Sequence, residues 1–480
     1  MPSAPFIRLA LPCLLIAPLL AAAGCASAPE AAPPPALEMR DVVFEPRSGD
    51  PVDAVEGGFT VPENRSDPDS RSIALRYVRF PATTDEPGPP IVYLAGGPGG
   101  SGVSTAKGAR FALFMALRAY GDVIAFDQRG TGTSDRPPTC ASSIRIPTTE
   151  PVSDEAYADY HRDAARECAA FWEDEGVDLG GYTTAESVVD LEDLRRHLGA
   201  EKIILWGISY GSHLALAALD AIPDTIDRAV IASVEGLDQT VKLPARTDAY
   251  FERLAAAYDR PDFPEIARRV HARLDATPAD VTVRGRDGEA FAYKLHRRDM
   301  QMFLGGMAAG PGRARGVFET YDAADAGDYG PFAQILGYFL DPRAPVSFRA
   351  MPLAMDRASG VSTARRALFD EQAPNGLVGA YLNFPMPQLS SELTALDLGP
   401  GFRDGPETDV PVLAFSGTLD GRTYPEAAVE ATTGLSNVTR VTVENAGHNL
   451  FMTSPAVQET IEAFLAGRTI EEPVITVALP

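Results

Sequence analysis

The segment that most limits what this chain can fold into is Leu205-Trp206-Gly207-Ile208-Ser209-Tyr210-Gly211. It is a Gly-x-Ser-x-Gly set between the apolar run Ile203-Ile204-Leu205-Trp206 and the helix-like Leu214-Ala215-Leu216-Ala217-Ala218-Leu219. A strand that turns sharply into a helix forces its central residue into a strained backbone, and only small flanking residues avoid a clash. The strain would hold the Ser209 hydroxyl out at the top of a sheet, over a helix N-terminus. The five letters alone describe a small-residue turn as well. The strand before them and the helix after them make Ser209 a candidate nucleophile.

A serine hydroxyl needs a base to take its proton, normally histidine. The six histidines are His161, His197, His213, His271, His296 and His448. Where such an elbow is used, the chain order is serine, acid, histidine. His161 and His197 precede Ser209. His213 lies one helical turn beyond it and is expected to pack under the elbow. His271 and His296 fall in segments that read as an insertion. His448 remains, in the loop Glu444-Asn445-Ala446-Gly447-His448-Asn449 that follows the strand-like Val438-Thr439-Arg440-Val441-Thr442-Val443. Taken alone, it would equally be a surface loop histidine.

The acid is sought at the C-terminal end of a parallel strand, where chemistry gathers in open sheets. Val410-Pro411-Val412-Leu413-Ala414-Phe415 reads as a buried strand, and Ser416-Gly417-Thr418-Leu419-Asp420-Gly421 as the loop leaving it. Asp420 could orient the imidazole and stabilise its charged form. An aspartate before glycine is also a common turn, but three such loops in the right order are less probable together than singly. The expected triad is Ser209, Asp420 and His448.

Donors for an oxyanion are expected where Ile91-Val92-Tyr93-Leu94-Ala95 runs into Gly96-Gly97-Pro98-Gly99-Gly100-Ser101-Gly102. Glycines there let backbone N–H groups approach a carbonyl closely. The expected pair is the N–H of Gly97 and that of Tyr210, the residue after the nucleophile. A phosphate loop is disfavoured, because no Gly-Lys-Ser/Thr follows, and a flexible linker is disfavoured by the strand just before.

Together these pieces resemble the proline iminopeptidase and tripeptidyl aminopeptidase family of α/β-hydrolases. The resemblance rests on Gly96–Gly102, Asp127-Gln128-Arg129-Gly130-Thr131-Gly132-Thr133-Ser134, Trp206–Gly211, Ser416–Asp420 and Ala446-Gly447-His448, with Val61-Pro62-Glu63-Asn64-Arg65 as a match to the entry strand. It spans about residues 55–235 and 408–465. It implies an α/β fold: a mostly parallel, doubly wound sheet with an inserted, mainly helical cap. It also implies a serine peptidase acting at free N-termini, with no metal or organic cofactor. The residue before Gly-Gly-Pro-Gly is Ala95 where proline iminopeptidases carry histidine, which is closer to the tripeptidyl branch. The family's exopeptidases hold the substrate amine with carboxylates. No clear counterpart stands in the cap; Glu235, just after the strand Ala229–Val234, is one candidate, an exposed loop glutamate being the other reading. Asp127 and Arg129 are expected to brace the active-site loops through an internal ion pair.

The N-terminus reads as an export signal. Met1–Gly24 carries one positive charge, Arg8, and an apolar run from Leu9 to Ala23 that is broken by Pro12 and Pro18 and ends in small residues. Leu20-Ala21-Ala22-Ala23-Gly24-Cys25 resembles a bacterial lipoprotein cleavage site, with Ala22 where an aliphatic residue is usual; a plain signal peptide is the alternative. Cys25 would then take the lipid and anchor the chain in the cell envelope. By resemblance to known sorting signals, Ala26 after it implies the periplasmic side of the outer membrane in a Gram-negative cell. The Ala- and Pro-rich stretch to about residue 38 is a plausible tether. Cys140 and Cys168 remain, and an exported context permits their disulfide, two separate buried thiols being the alternative. Closing that loop is worth roughly 3–4 kcal/mol in the chain-entropy model. Neither cysteine has a zinc-type companion pattern, so no metal site is expected.

The expected organisation is a signal at 1–24, a lipidated tether at 25–38, core at 39–235, cap at 236–408 and core again at 409–480. Val188, Leu191, Leu194 and Leu198 form a helical stripe before the elbow, and Ser454-Pro455 reads as a helix start. Met351, Met355 and Phe369 read as the cap's own core. A net charge of −24 argues against nucleic acid and against direct binding to anionic lipid. The expected partners are a peptide or ester small-molecule substrate and, through the lipid alone, a membrane. Two further classes stay open: an esterase or lipase-like enzyme on the same triad, and a catalytically silent surface lipoprotein.

Overall fold

The strand that feeds the serine elbow, Ile203–Ile208, is buried at every residue, as a strand covered on both faces must be. It lies inside a ten-stranded sheet in the computed structural model, which describes residues 32–339, 341–470 and 473–480. In chain order the strands begin with β1 (Arg40–Phe44), β2 (Val52–Pro62), β3 (Ser72–Phe80), β4 (Gly88–Leu94) and β5 (Gly121–Asp127). The short β6 (Cys140–Ala141) precedes β7 (Ile203–Ile208) and β8 (Ile226–Ala232). Next come β9 (Ala279–Arg284), β10 (Ala290–Leu295), β11 (Ser347–Phe348), β12 (Val412–Gly417), β13 (Val438–Glu444) and β14 (Val474–Thr476).

The main sheet runs β1-β2-β3-β5-β4-β7-β8-β12-β13-β14. The first three strands pair antiparallel, and β5 through β14 pair parallel. Side chains alternate between two faces. Leu205, Ile231, Leu94 and Ala414 join one apolar cluster, and their neighbours Trp206, Val230, Tyr93 and Phe415 join another. Helices Thr184–His197 and Tyr210–Ala221 cover the first face, with Val188, Leu191 and Leu194 turned inward as the stripe requires. Phe111–Leu117 and Pro455–Leu465 cover the second, the latter capped by Ser454, whose side chain accepts from Ala456 N–H.

Between β8 and β12 lies the insertion, mostly helical, with the antiparallel hairpin β9–β10. Its own core gathers Tyr250, Phe251, Leu254, Phe263, Leu304, Phe318 and Tyr321. Met351 and Met355 do not belong to it, contrary to expectation. They sit on helix Ala350–Ser359 in the same cluster as Tyr182, Leu191 and Tyr210 of the hydrolase core. Gly130 makes room for this contact, since a Cβ there would stand 2.7 Å from that of Met351. Phe369 is buried.

The expected signal segment and Cys25 lie outside the described residues. The tether ends earlier than expected: Leu37 N–H donates to Gly58 O at 2.8 Å, and Thr60 N–H donates to Pro35 O at 2.9 Å. Residues 35–37 therefore extend the sheet along β2. Cys140 and Cys168 are joined in a disulfide that ties β6 to helix Asp154–Asp174. No helix among the described residues is long and apolar enough to cross a membrane.

Candidate active site

Every residue expected to carry chemistry stands at the C-terminal edge of the parallel strands. Ser209 follows β7 with φ +57° and ψ −128°, a conformation that L-residues rarely adopt. Its surroundings enforce this. A Cβ on Gly207 would lie 2.3 Å from Gly211 O, and one on Gly211 only 2.0 Å from Leu94 O. Both glycines are thus demanded by backbone crowding between β7, β4 and the helix. Ser209 N–H donates to Ala232 O at 3.1 Å, and its carbonyl accepts from Ser212 Oγ at 2.6 Å. The elbow is fixed at both ends.

The glycine-rich loop lies directly against the serine. A Cβ on Gly96 would sit 3.0 Å from Ser209 Cβ and 2.8 Å from Ile208 O. Gln128 is buried and its side-chain amide donates to Ala95 O at 3.1 Å, holding the loop's base. Neither Gly97 N–H nor Tyr210 N–H has an acceptor among the described residues. Tyr210 is the first residue of its helix, where an N–H has no intrahelical partner.

On β12 and β13 the two other loops interlock. Leu419 N–H donates to Ala446 O at 2.9 Å, and Asn445 N–H to Thr418 Oγ1 at 2.9 Å. Across this junction His448 Nδ1 meets Asp420 Oδ2 at 2.9 Å and Oδ1 at 3.1 Å. Asp420 is fully buried and also accepts from Arg422 N–H, Thr423 N–H and Thr423 Oγ1, at 2.8, 2.9 and 2.7 Å. Burial would raise its carboxyl, but the His448 charge, the His448 hydrogen bond and the Thr423 donors hold it below the usual carboxylate value. With Nδ1 committed to Asp420, the Nε2 edge of His448 is the one left for substrate chemistry. Ser233 Oγ donates to His448 O at 2.6 Å, and Ser209 N–H bonds the adjacent Ala232, so β8 steadies both the elbow and the histidine loop. No hydrogen bond joins Ser209 Oγ to His448; such catalytic contacts often tighten only around a substrate.

His213 packs under the elbow, fully buried, between Gly236 O at 3.2 Å and Ser359 Oγ at 3.1 Å. Burial lowers its pKa to about 4, so it stays neutral. Glu235 is not an open loop residue. It is largely buried, ion-paired with Lys242 at 2.7 Å, and its N–H donates to Ser212 Oγ. Asp356 of helix Ala350–Ser359 shares this environment; burial and then the like charge of Glu235 raise its carboxyl to about 7. Sequence reasoning missed Asp356, Lys242, Thr423 and Ser233. Only Thr423, three residues after Asp420 as in a side-chain-closed turn, left a local signal.

Asp127 and Arg129 brace the site without touching each other, which corrects the expected pairing. Asp127 accepts from Ser101 Oγ at 2.6 Å, Val103 N–H at 3.1 Å, and Thr133 N–H and Oγ1 at 2.7 and 2.9 Å, joining the glycine-rich loop to its own turn. Arg129 is fully buried and forks onto Asp190 at 2.6 and 2.7 Å, with Glu186 at 3.3 Å. Arg65 shares both carboxylates from the other side. Among the described residues no group of three or more His, Cys, Asp or Glu is gathered as a metal site requires.

A serine elbow between a parallel strand and a helix, with an aspartate–histidine pair on later strands of one mixed sheet, defines an α/β-hydrolase. The sequence agrees: residues 89–284 match the alpha/beta hydrolase fold family, and residues 399–476 match the TAP-like protein family. The chain has the α/β-hydrolase fold, and its C-terminal segment matches the TAP-like family. It is 34% identical over 190 residues to a tripeptidyl aminopeptidase of Streptomyces coelicolor, covering 37% of this chain and 34% of that protein. It is 32% identical over 203 residues to the serine protease Hip1 of Mycobacterium tuberculosis, covering 38% and 37%. The aligned part thus spans about a third of each of these relatives. Among solved structures, a proline iminopeptidase-related protein from Thermus thermophilus aligns over 86% of this chain and 97% of its own, at 20% identity and a TM-score of 0.37.

Proposed function

We propose that this chain is a serine peptidase that releases residues from the free N-termini of peptides through an acyl-enzyme. The observation that carries this reading is the Asp420–His448 pair on the same sheet edge as a serine held at positive φ. In this mechanism Ser209 Oγ attacks the scissile carbonyl while His448 Nε2 takes its proton, and Asp420 stabilises the imidazolium. The oxyanion is received by Gly97 N–H and Tyr210 N–H, a contribution of roughly 3–4 kcal/mol per donor to the transition state. His448 then protonates the leaving amine, and water enters by the reverse route to free the serine.

Peptide rather than ester as substrate is supported by the TAP-like segment and by relatives named as peptidases. Action at a free amine is supported by the relative named as a tripeptidyl aminopeptidase, since Glu235 is already paired with Lys242. The proposal extends to location: an exported chain lipidated at Cys25 is supported by the N-terminal sequence and by a disulfide suited to an oxidising compartment.

The test is hydrolysis of a matched panel by wild type and Ser209→Ala: peptidyl nitroanilides with free N-termini, the same peptides acetylated, and short and medium acyl nitrophenyl esters. Turnover of the free-amine peptides, suppressed by acetylation and lost in Ser209→Ala, is expected. Ester turnover alone would replace the peptidase reading with an esterase. No turnover, with no labelling by a fluorophosphonate, would remove the enzyme.

A further inference from the structure

Helix Arg297–Met307 of the insertion ends directly over the two loops that hold Asp420 and His448. The last carbonyls of a helix lack intrahelical donors and must find partners elsewhere. Here the two residues that follow the helix find them in the catalytic loops. Ala308 O accepts from Gly421 N–H at 2.9 Å, one residue past the acid. Ala309 O accepts from His448 N–H itself at 2.7 Å. The next residue, Gly310, lies backbone to backbone with Gly447. A Cβ on Gly447 would stand 2.5 Å from Gly310 Cα and 2.7 Å from Ala309 O, and one on Gly310 would stand 3.0 Å from Gly447 Cα. Gly421 is equally confined, with Ala308 O 2.7 Å from where its Cβ would be.

The backbone of His448 is therefore held from two sides that belong to different parts of the fold. Its N–H is bound by the insertion, through Ala309, and its carbonyl by the hydrolase core, through Ser233 Oγ at 2.6 Å. Nothing in the parallel sheet itself supplies the first of these contacts.

We propose that the insertion segment Ala308–Gly310 is a positioning element for the Asp420–His448 pair, so that the insertion sets the alignment of the catalytic groups. This rests on the reading that Asp420 and His448 serve Ser209. A displacement of the segment by part of an ångström moves the imidazole relative to the serine, and misplacements of this size cost on the order of 10- to 100-fold in rate.

The wedge variant is Gly310→Ala, with Gly312→Ala as its partner control, because no atom lies within 4 Å of a Cβ at Gly312. Three quantities are compared: kcat against KM on the best panel substrate, Tm, and the downfield proton resonance of an imidazole Nδ1–H bonded to a carboxylate. Gly310 stands at φ +159°, so Gly310→Ala is expected to lower Tm somewhat; well below its melting transition it is expected to lower kcat about 10-fold or more, with KM within about twofold and the downfield resonance weakened. Gly312→Ala is expected to match wild type in all three. Wild-type kcat and resonance in Gly310→Ala would overturn the proposal, as would an equal loss in Gly312→Ala.

Hydrogen exchange of the wild type gives a readout that needs no variant to fold. The amides of Gly421 and His448 are expected to open with helix Arg297–Met307; exchange in step with β12 and β13 instead would overturn the proposal. His448→Ala separates the two readings. If it keeps turnover, the triad and this proposal fall together. If it is inactive while Gly310→Ala is normal, only the positioning inference falls.

Discussion

Asp420 meets the Nδ1 edge of His448 with both carboxylate oxygens, at 2.9 and 3.1 Å, while three donors from Arg422 and Thr423 occupy its remaining lone pairs. A carboxylate so held has one rotamer and fixes one imidazole tautomer. Asp420→Asn keeps the shape but puts an amide donor opposite Nδ1, which favours the wrong tautomer. We expect kcat to fall by about 10⁴ with little change in Tm, read by single-turnover kinetics on the best peptide substrate. A loss under tenfold would mean that another group orients His448.

Two glycines, one at the elbow and one in the insertion, predict stability changes of opposite sign. Gly211→Ala drives a methyl to 2.0 Å from Leu94 O, where only backbone can yield, and should cost about 3 kcal/mol. Gly316 lies exposed inside helix Ala314–Asp325 with nothing within 4 Å of its Cβ. Gly316→Ala should gain roughly 0.5–1 kcal/mol. Urea midpoints decide both, and a neutral Gly211→Ala would contradict the packing of the elbow on β4.

Removing Arg129 leaves Asp190 and Glu186 to Arg65 alone. Breaking one side of a buried ionic cluster costs about 3–5 kcal/mol, because a charge stays buried without its partner. Arg129→Met should lose this much in urea unfolding, and Arg129→Met with Asp190→Leu should recover a large part of it. If the double variant is as weak as the single, packing rather than charge explains the loss.

Cys140→Ser should lower stability by roughly 3–4 kcal/mol in the oxidised protein and leave turnover unaltered. Adding reductant should bring wild type down to the variant. Equal melting of both without reductant would mean that the bond does not form in solution.

Asp356 predicts a pH slope. Its folded pKa of about 7 lies above the usual unfolded value of roughly 3.9. The folded chain therefore holds this proton more tightly. The contribution to stability is whole below about pH 4 and is lost as pH rises through 7. Asp356→Asn lacks this loss, so its Tm should gain on that of wild type between pH 5 and pH 8. Parallel Tm curves would refute the shift.

Much of this was legible in the sequence, for physical reasons. Runs such as Ile203–Trp206 and Val412–Phe415 are apolar at every position because both faces of a parallel strand are covered, and each ends in a loop bearing its functional residue. What the sequence could not disclose were partners that folding brings from afar. The sequence offers Arg129 its neighbour Asp127, whereas its partners sit on helix Thr184–His197. The spacing of Met351 and Met355 announces burial but not against what. Glu235 looked open because Lys242, which neutralises it, reads as an ordinary loop lysine.

Helix Ala350–Ser359 alters what can be exchanged between members of this fold. Its sequence lies inside the insertion, yet Met351, Leu353 and Met355 fill the same apolar cluster as Leu191 and Tyr210. Cutting the chain at residues 236 and 408 and grafting another insertion would tear this cluster open, leaving the face beneath the serine elbow wet. Recombination that spares the fold must leave this helix behind, so the insertion can diverge freely only around it.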